Sequence, residues 1–479
     1  MSDRYDVVII GAGTAGLSAL SEVRKGTDSF LLVNEGPYGT TCARVGCMPS
    51  KALIEAADAF HRLRLTEEMG LDGASGVSVD GRAVMERVRR LRDGFVRGTL
   101  KATDELGDRS VQGHARLLGP DALDVEGRRV EADSIVIATG SKPVVPEPWR
   151  GIPGVITSDG VFELEDLPSS LAVVGLGAVG LELAQAFSRL GVDVSAFDAS
   201  ETIAGIADDD ILQAALEAFR PELEPELGAE VELAADPEGV RVSAGGEDLV
   251  VDRALVAVGR RPATEDLGLE NLGVELDDGG LPPFDETTML VPGTRVFIAG
   301  DVNARAPLLH EAADDGRIAG HNALRGKPRR FCRRAPLRVV FTEPGIASVG
   351  SPGPGEGRVM GAQDYSRQGR ARMAGTAVGS VKVWARERDG LFLGAELCAP
   401  GGEHLAHLLA WALQRELTVH QMLELPYYHP TLEEGLRSAV RRAARGAAPS
   451  TESELPPCGS LPTEEAGIGG TTGGRENGK

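Results

Sequence analysis

Residues 5–20 read YDVVIIGAGTAGLSAL, and residues 171–187 read LAVVGLGAVGLELAQAF. Each is a short apolar run that enters a turn with glycines at its first, third and sixth positions and leaves it in a helical pattern, the opening of a βαβ unit. The glycines Gly11, Gly13 and Gly16, and again Gly175, Gly177 and Gly180, allow a tight turn and let backbone N–H groups at a helix start approach a pyrophosphate. One such pattern alone is weak, since a plain glycine turn would look the same. Two in one chain, each between a strand and a helix, imply two bound dinucleotides.

Working outward from these units, 51–63 and 81–103 read as helix, and SIVIATG (134–140) as a strand returning to the first sheet. The proline-rich PVVPEPWRGIPG (143–154) reads as a linker. LVAVG (255–259) closes the second unit, and VFIAGD (296–301) reads as one more strand of the first. Strands are expected at 337–349, 378–385 and 391–397, with helices at 403–416 and 432–445, a separate α+β module. From Gly446 the chain is rich in Gly, Pro, Ser, Thr and Glu and reads as a disordered tail. The fold class expected is α/β, two Rossmann-like dinucleotide-binding domains followed by an α+β domain. The boundaries expected are 1–150, 151–265, 266–335 (the first domain resumed), 336–446, and a tail over 447–479.

A net charge of −22 over 479 residues repels phosphate backbones and anionic headgroups, so neither nucleic acid nor a membrane is an expected partner. Only seven of the 50 basic residues are lysine, and an acid excess with so little lysine points to a saline habitat. No apolar run reaches the roughly 18 residues of a membrane helix, and MSDRYDVVII enters a strand without a leader pattern, so a cytoplasmic location is expected. Five irregularly spaced cysteines make no secreted disulfide framework, and in a reducing compartment a close pair is metal-binding or catalytic.

That pair is Cys42 and Cys47 in GTTCARVGCMPSKALI (39–54). Five residues of regular helix separate Cα atoms by ~7.5 Å, beyond ordinary disulfide reach, so a kink is expected where Gly46 permits one. A bond formed across such a kink is strained and easily reduced. Pro49, Ser50 and the apolar run that follows suggest a helix beginning at the pair, whose amino end favours negative sulfur. Zinc binding would need a second ligand pair that is absent; two inert buried cysteines are the plainer alternative.

The acid that a dinucleotide unit carries for the ribose lies at Asp198 in the second unit, 23 residues after its first glycine. In DASETIA (198–204) no Arg or Lys follows, so NAD rather than NADP is expected there; a solvated strand-end aspartate is the alternative. The same offset in the first unit falls on Asn34, with Glu35 one step on. Glu35 is the preferred reading and Asn34 its rival.

Taken in order, GAGTAG, GTTCARVGCMPSK, IVIATGSKP, VVGLGAVGLELA, AVGRRP, FIAGD and YHPTLEE resemble the class I pyridine nucleotide-disulfide oxidoreductases over about residues 4–445. That family includes dihydrolipoamide dehydrogenase, glutathione reductase and mercuric reductase. The resemblance implies FAD on the first unit, near Thr14, Ala15, Thr41, Lys51, Ala115, Ala138, Thr139, Gly140, Gly300, Leu308 and Leu309, with Asp301 on the ribityl chain. It implies NAD on the second, near Ala178, Val179 and Gly259. Cys47 would be the thiolate facing the flavin and Cys42 the thiol that exchanges with substrate. Lys51 and Glu182 would pair beside the flavin, although a surface ion pair would read the same. His429, oriented by Glu434, would be the base that one subunit of a homodimer lends to the other's cysteines; without the resemblance it reads as a helix-start histidine. The remaining histidines, His404, His407 and His420 among them, and Cys332, Cys398 and Cys458 carry no expected chemistry.

The activity implied is dihydrolipoamide oxidation with NAD, the substrate being a small molecule or a lipoyl domain. Departures from the usual pattern, Gly345 in FTEPGIASVG, the segment TTCARVGCMPS, and Tyr427 and Tyr428 before the base, keep another small or protein disulfide, or mercuric ion, as alternatives. A non-catalytic flavoprotein, acting as a redox sensor or a structural subunit, is the alternative from another class.

Overall fold

The computed structural model describes residues 3–66 and 68–449. The expected tail lies outside these residues from Ser450 on, as does Cys458. The described residues form two compact units, one of Asp3–Gly205 with Arg220–Arg333 and one of Ile206–Phe219 with 334–449.

In the first unit the strands Asp3–Ile10, Phe30–Asn34, Ser110–Gln112, Val296–Ile298 and Arg128–Ile137 run parallel, extended by the antiparallel strands Ala115–Gly119 and Ala122–Val125. Val8, Ile10, Leu31, Val33, Ile135 and Ile137 pack on one face, and Val7, Ile9, Phe30, Leu32 and Val136 on the other. A parallel sheet buried on both faces requires such unbroken apolar runs. The helices Thr14–Val23 and Leu309–Ala323 pack tightly, because a Cβ on Gly316 would stand 2.1 Å from the Ala15 carbonyl oxygen and one on Gly320 2.4 Å from that of Ala19.

A second parallel sheet in the same unit has the order Glu226–Leu227, Asp193–Asp198, Ser170–Val174, Arg253–Val256, Val155–Thr157. An antiparallel meander, Val231–Asp236, Gly239–Ala244 and Glu247–Val251, joins its core. Sequence reading missed this meander, whose strands are short and charged on their outer face. The segment read as a linker begins at the last residue of the strand Ser141–Pro143, which pairs with Arg260–Pro262.

The other unit is a five-stranded antiparallel sheet ordered Leu337–Val340, Gly345–Gly350, Phe392–Ala399, Ser380–Arg386, Arg358–Asp364, with the helices Gly402–Gln414, Val419–Glu424 and Glu433–Gly446. Tyr365, Val383, Leu397, Leu409, Leu436 and Val440 are among its buried core. Two expectations are corrected. The single strand expected over 337–349 is a hairpin turning at 341–344, where Pro344 cannot continue a ladder. The helix Asp209–Phe219, inside the range expected for the second nucleotide domain, packs with this sheet instead, because Ile211, Ala215 and Phe219 form a buried stripe against it. Among the described residues no helix is long and apolar enough to cross a membrane.

Candidate active site

Both glycine turns sit at the carboxyl ends of parallel strands and repeat each other bond for bond. Gly11 N–H donates to Val33 O at 2.7 Å and Ala138 N–H to Ile10 O at 2.8 Å; Gly175 N–H donates to Phe197 O and Ala257 N–H to Val174 O, both at 2.8 Å. Gly11 and Gly175 have φ of 106° and 95°, open to glycine but strained for other residues. A Cβ on Gly16 or Gly180 would stand 1.9 Å from the carbonyl oxygen of Gly11 or Gly175, so helix and turn touch backbone to backbone. Gly13 and Gly177 face open space, each just before the first residue of a helix, Thr14–Val23 or Ala178–Arg189. Each cradle thus offers free helix-start N–H groups to an anion.

The strand-end acceptors also correspond. Asn34 Oδ1 accepts from Ala12 N–H at 2.8 Å, and Asp198 Oδ2 accepts from Leu176 N–H at 2.5 Å, the residue after the first glycine in each unit. Asn34 is buried, and its Nδ2 donates to Gly36 O at 3.1 Å. Glu35 points away from this turn to His114 Nδ1 at 3.2 Å and is largely exposed. The acceptor at this turn is Asn34, the last residue of the strand Phe30–Asn34, whereas Glu35, one position past it, faces His114.

Around the first turn gather the other residues expected at FAD. Ala138, Thr139 and Gly140 leave the end of Arg128–Ile137; Gly300 and Asp301 follow Val296–Ile298; Leu308 precedes the helix that Leu309 opens. Ala115 begins a strand two residues after Gly113, whose N–H donates to Asn34 O at 3.0 Å, and Thr41 is exposed at the start of the first cysteine helix. Thr139 Oγ1 is buried without a partner, and an oxygen so placed suits a polar ligand atom. Asp301 Oδ2 accepts from Ser141 Oγ at 2.7 Å, and Ser141 Oγ accepts from Arg260 Nε at 2.9 Å. Ser141 and Arg260 went unassigned in the sequence reading, although the quoted motifs IVIATGSKP and AVGRRP contain them. The unpartnered threonine oxygen and the open glycine cradle fit a flavin dinucleotide.

Cys42 lies in the short helix Thr41–Val45, and Cys47 opens the helix Cys47–His61. The break falls at Gly46, whose φ and ψ of −131° and −121° belong to neither helix. Both are free thiols, hydrogen-bonded to each other. That bond, with the Lys51 ammonium beside it, holds Cys47 down to about 7, while the same bond and burial push Cys42 up. Lys51 Nζ meets Glu182 Oε2 at 2.6 Å, and the Glu182 side chain is only 7% exposed. The expected pair across two helices is thus in contact.

A cleft of about 910 Å³ opens over the second turn, lined by Gly175, Gly177, Asp198, Ser200, Val258 and Gly259, with Trp149, Glu230 and Glu232 on its walls. Among the described residues no Lys or Arg lines it. Asp198 Oδ1 also accepts from Ser200 N–H at 2.8 Å and from the Ser200 hydroxyl. Ala178 and Val179 begin the facing helix, and Val179 and Val258 are exposed apolar residues. The cradle fits a pyridine dinucleotide, and the wall beside it is acidic. Glu230 and Glu232 come from the meander, which is why sequence reading missed them.

In the other unit His429 Nδ1 lies 2.9 and 3.0 Å from the two carboxylate oxygens of Glu434, which also accepts Thr431 N–H at 3.2 Å. The imidazole is 81% exposed, and its hydrogen bond holds the Glu434 carboxyl below the usual carboxylate range. Trp411, Leu425 and Tyr428 are exposed in this unit. Cys398 is buried in its sheet, and Cys332 is exposed in the first unit. His407 and His420 bond only backbone oxygens, His404 contacts Glu403, and no metal-ligand cluster forms among the described residues.

Residues 5–316 match the family described as pyridine nucleotide-disulphide oxidoreductase, and residues 337–440 match its dimerisation domain. The dihydrolipoyl dehydrogenase of Thermus scotoductus is 35% identical over 464 residues, spanning 91% of this chain and 96% of the relative. That of Halobacterium salinarum is 32% identical over 470 residues, spanning 92% and 97%. Among solved structures, LpdA from Mycobacterium tuberculosis superposes with a TM-score of 0.78 at 26% identity, over 92% of this chain and 99% of that one. The HOCl-induced flavoprotein disulfide reductase RclA from Escherichia coli, solved as a Cu(II) complex, shares the fold with a TM-score of 0.81 at 24% identity, over 92% and 99%.

Proposed function

Because this chain belongs to the pyridine nucleotide-disulphide oxidoreductase family, as a flavoprotein of the dihydrolipoyl dehydrogenase type, we propose that it oxidises a dihydrolipoyl dithiol to the disulfide and reduces NAD to NADH. The observation that carries this reading is the Cys42–Cys47 pair at a helix start, with Lys51 and Glu182 alongside.

The family uses FAD and NAD(P). In the proposed cycle Cys42 and Cys47 begin as a disulfide. A substrate thiolate attacks Cys42 Sγ, the Cys42–Cys47 bond breaks, and Cys47 leaves as a thiolate. Its lowered pKa makes it the better leaving group of the two. The second substrate thiol gives its proton to His429 of the partner subunit and attacks the sulfur bound to Cys42. The substrate disulfide departs, and Cys42 leaves as a thiolate that takes the proton back. Glu434 holds the imidazole tautomer for both transfers. Bound FAD supplies the route by which the electron pair passes from the cysteines to NAD. Asn34, Thr139 and Asp301 would hold that flavin, and Asp198, Glu230 and Glu232 would favour NAD by opposing a 2′-phosphate.

A dimer is required by this reading, since the dimerisation domain carries the histidine and the first unit carries the sulfurs. A second reading, a different small or protein disulfide, is favoured by Tyr428, which stands highly exposed beside His429. Purified holoenzyme assayed with NAD and NADP against dihydrolipoamide, and with NADH and NADPH against lipoamide, oxidised glutathione and mercuric ion, separates these. The expected result is NAD-linked oxidation of dihydrolipoamide; turnover with NADPH and not NADH would overturn the cofactor assignment, and inertness toward lipoamide the substrate.

A further inference from the structure

The helix that begins with Cys47 and the helix that carries Glu182 touch at two points. Lys51 meets Glu182, and seven residues further along both helices Asp58 meets the guanidinium of Arg189. Seven residues are two helical turns, about 10.5 Å, and return to nearly the same face. One contact leaves a pivot; two at this spacing fix slide and tilt together. The charges are reversed between the contacts, so a slip of two turns would set Lys51 against Arg189 or Asp58 against Glu182.

Arg189 is unusually committed to this role. Its side chain is 3% exposed, and it holds Glu222 with Nε to Oε2 at 2.5 Å and Nη2 to Oε1 at 2.9 Å, leaving Nη1 for Asp58. His61, the last residue of the cysteine helix, places Nε2 3.6 Å from the same Glu222 carboxylate. A planar guanidinium can grip one carboxylate with two N–H groups while a third nitrogen reaches another, a fork that a lysine ammonium does not offer.

Resting on the redox reading of Cys47, we infer that Arg189, clamped between Asp58 and Glu222, is a positioning residue that locks the two helices together and keeps the Glu182 carboxylate seated on Lys51. Its influence reaches Cys47 through charge: Lys51 favours the thiolate, and Glu182 opposes it. With the lock broken, Glu182 leaves its seat, Lys51 acts less opposed, and the Cys47 midpoint falls.

The test is the pH dependence of iodoacetamide alkylation of the dithiol-reduced holoenzyme, followed separately at each cysteine by peptide mass. Asp58→Asn and Arg189→Met should lower the Cys47 midpoint in the same direction as Glu182→Gln, by about 0.5 pH unit, a roughly threefold faster alkylation at pH 6. The double variant Asp58→Asn, Glu182→Gln should move no further than Glu182→Gln, and Asp58→Glu should restore the wild-type midpoint. Asp58→Asn leaves the Arg189–Glu222 pair intact, which keeps the test open if Arg189→Met does not fold. A folded Asp58→Asn protein with a wild-type midpoint, beside a shifted Glu182→Gln, overturns the lock alone. A Glu182→Gln midpoint that does not move overturns the lock together with the assigned role of Lys51 and Glu182.

Discussion

Asn34 stands to the first glycine turn as Asp198 stands to the second, each accepting the N–H of the residue after the leading glycine. An amide in one unit and a carboxylate in the other make the same bond, which separates a structural task, closing the turn, from the electrostatic one that a carboxylate adds.

Asn34→Ala removes the acceptor of Ala12 N–H at a buried site and should cost about 1–2 kcal/mol of FAD binding, roughly five- to thirtyfold in affinity. Glu35→Ala should leave affinity unchanged. Flavin released on dilution, measured by fluorescence, checks both; flavin loss from the Glu35 variant instead would favour the reading that gives the ribose to Glu35.

At the second turn Asp198→Ala should raise KM for NADH about tenfold with little change in kcat, and should narrow the preference for NADH over NADPH. Steady-state kinetics with both nucleotides decide this. Unaltered discrimination would place selectivity on Glu230 and Glu232 instead.

The Cys42 thiol donates to Cys47, so the thiolate is gained as pH rises through about 7. Cys42→Ser keeps a donor and should move the midpoint little, whereas Cys42→Ala removes it and should raise the midpoint, as should Lys51→Met. Thiolate absorbance against pH reports the change; a midpoint that stays near 7 in Cys42→Ala would remove the hydrogen bond as its cause.

If His429 serves the cysteines of the partner, His429→Gln and Cys47→Ser proteins should each be inactive. Subunits exchanged between them should regain about a quarter of wild-type activity, since half the dimers are mixed and each has one intact site. Mixtures that stay inactive after verified exchange would confine the histidine to its own chain.

A net charge of −22 makes self-repulsion a standing cost that salt screens. The melting temperature should therefore rise between low and molar chloride, and a flat or falling response would remove the saline-habitat reading.

The cysteine pair, the two glycine turns and the strands beneath them were legible because each is local: apolar period, turn chemistry and helix-start preference act over fewer than about 20 residues. Spacing alone did not show which of Asn34 and Glu35 faces the turn, because they are one residue apart at a strand end and composition does not carry that register. Trp149, Glu230 and Glu232 were illegible for a different reason, since they reach the cleft from a linker and a meander whose strands carry weak alternation.

By itself, then, the sequence determined the chemistry available: two dinucleotide cradles, a kinked cysteine pair at a helix start, and a histidine with a carboxylate five residues on. Tertiary structure alone decided which charges meet. Lys51 with Glu182, Asp58 with Arg189, and Asp301 with Ser141 are each separated by more than 100 residues of chain. Such pairs are set by how helices and sheets pack against one another, and no local propensity encodes that.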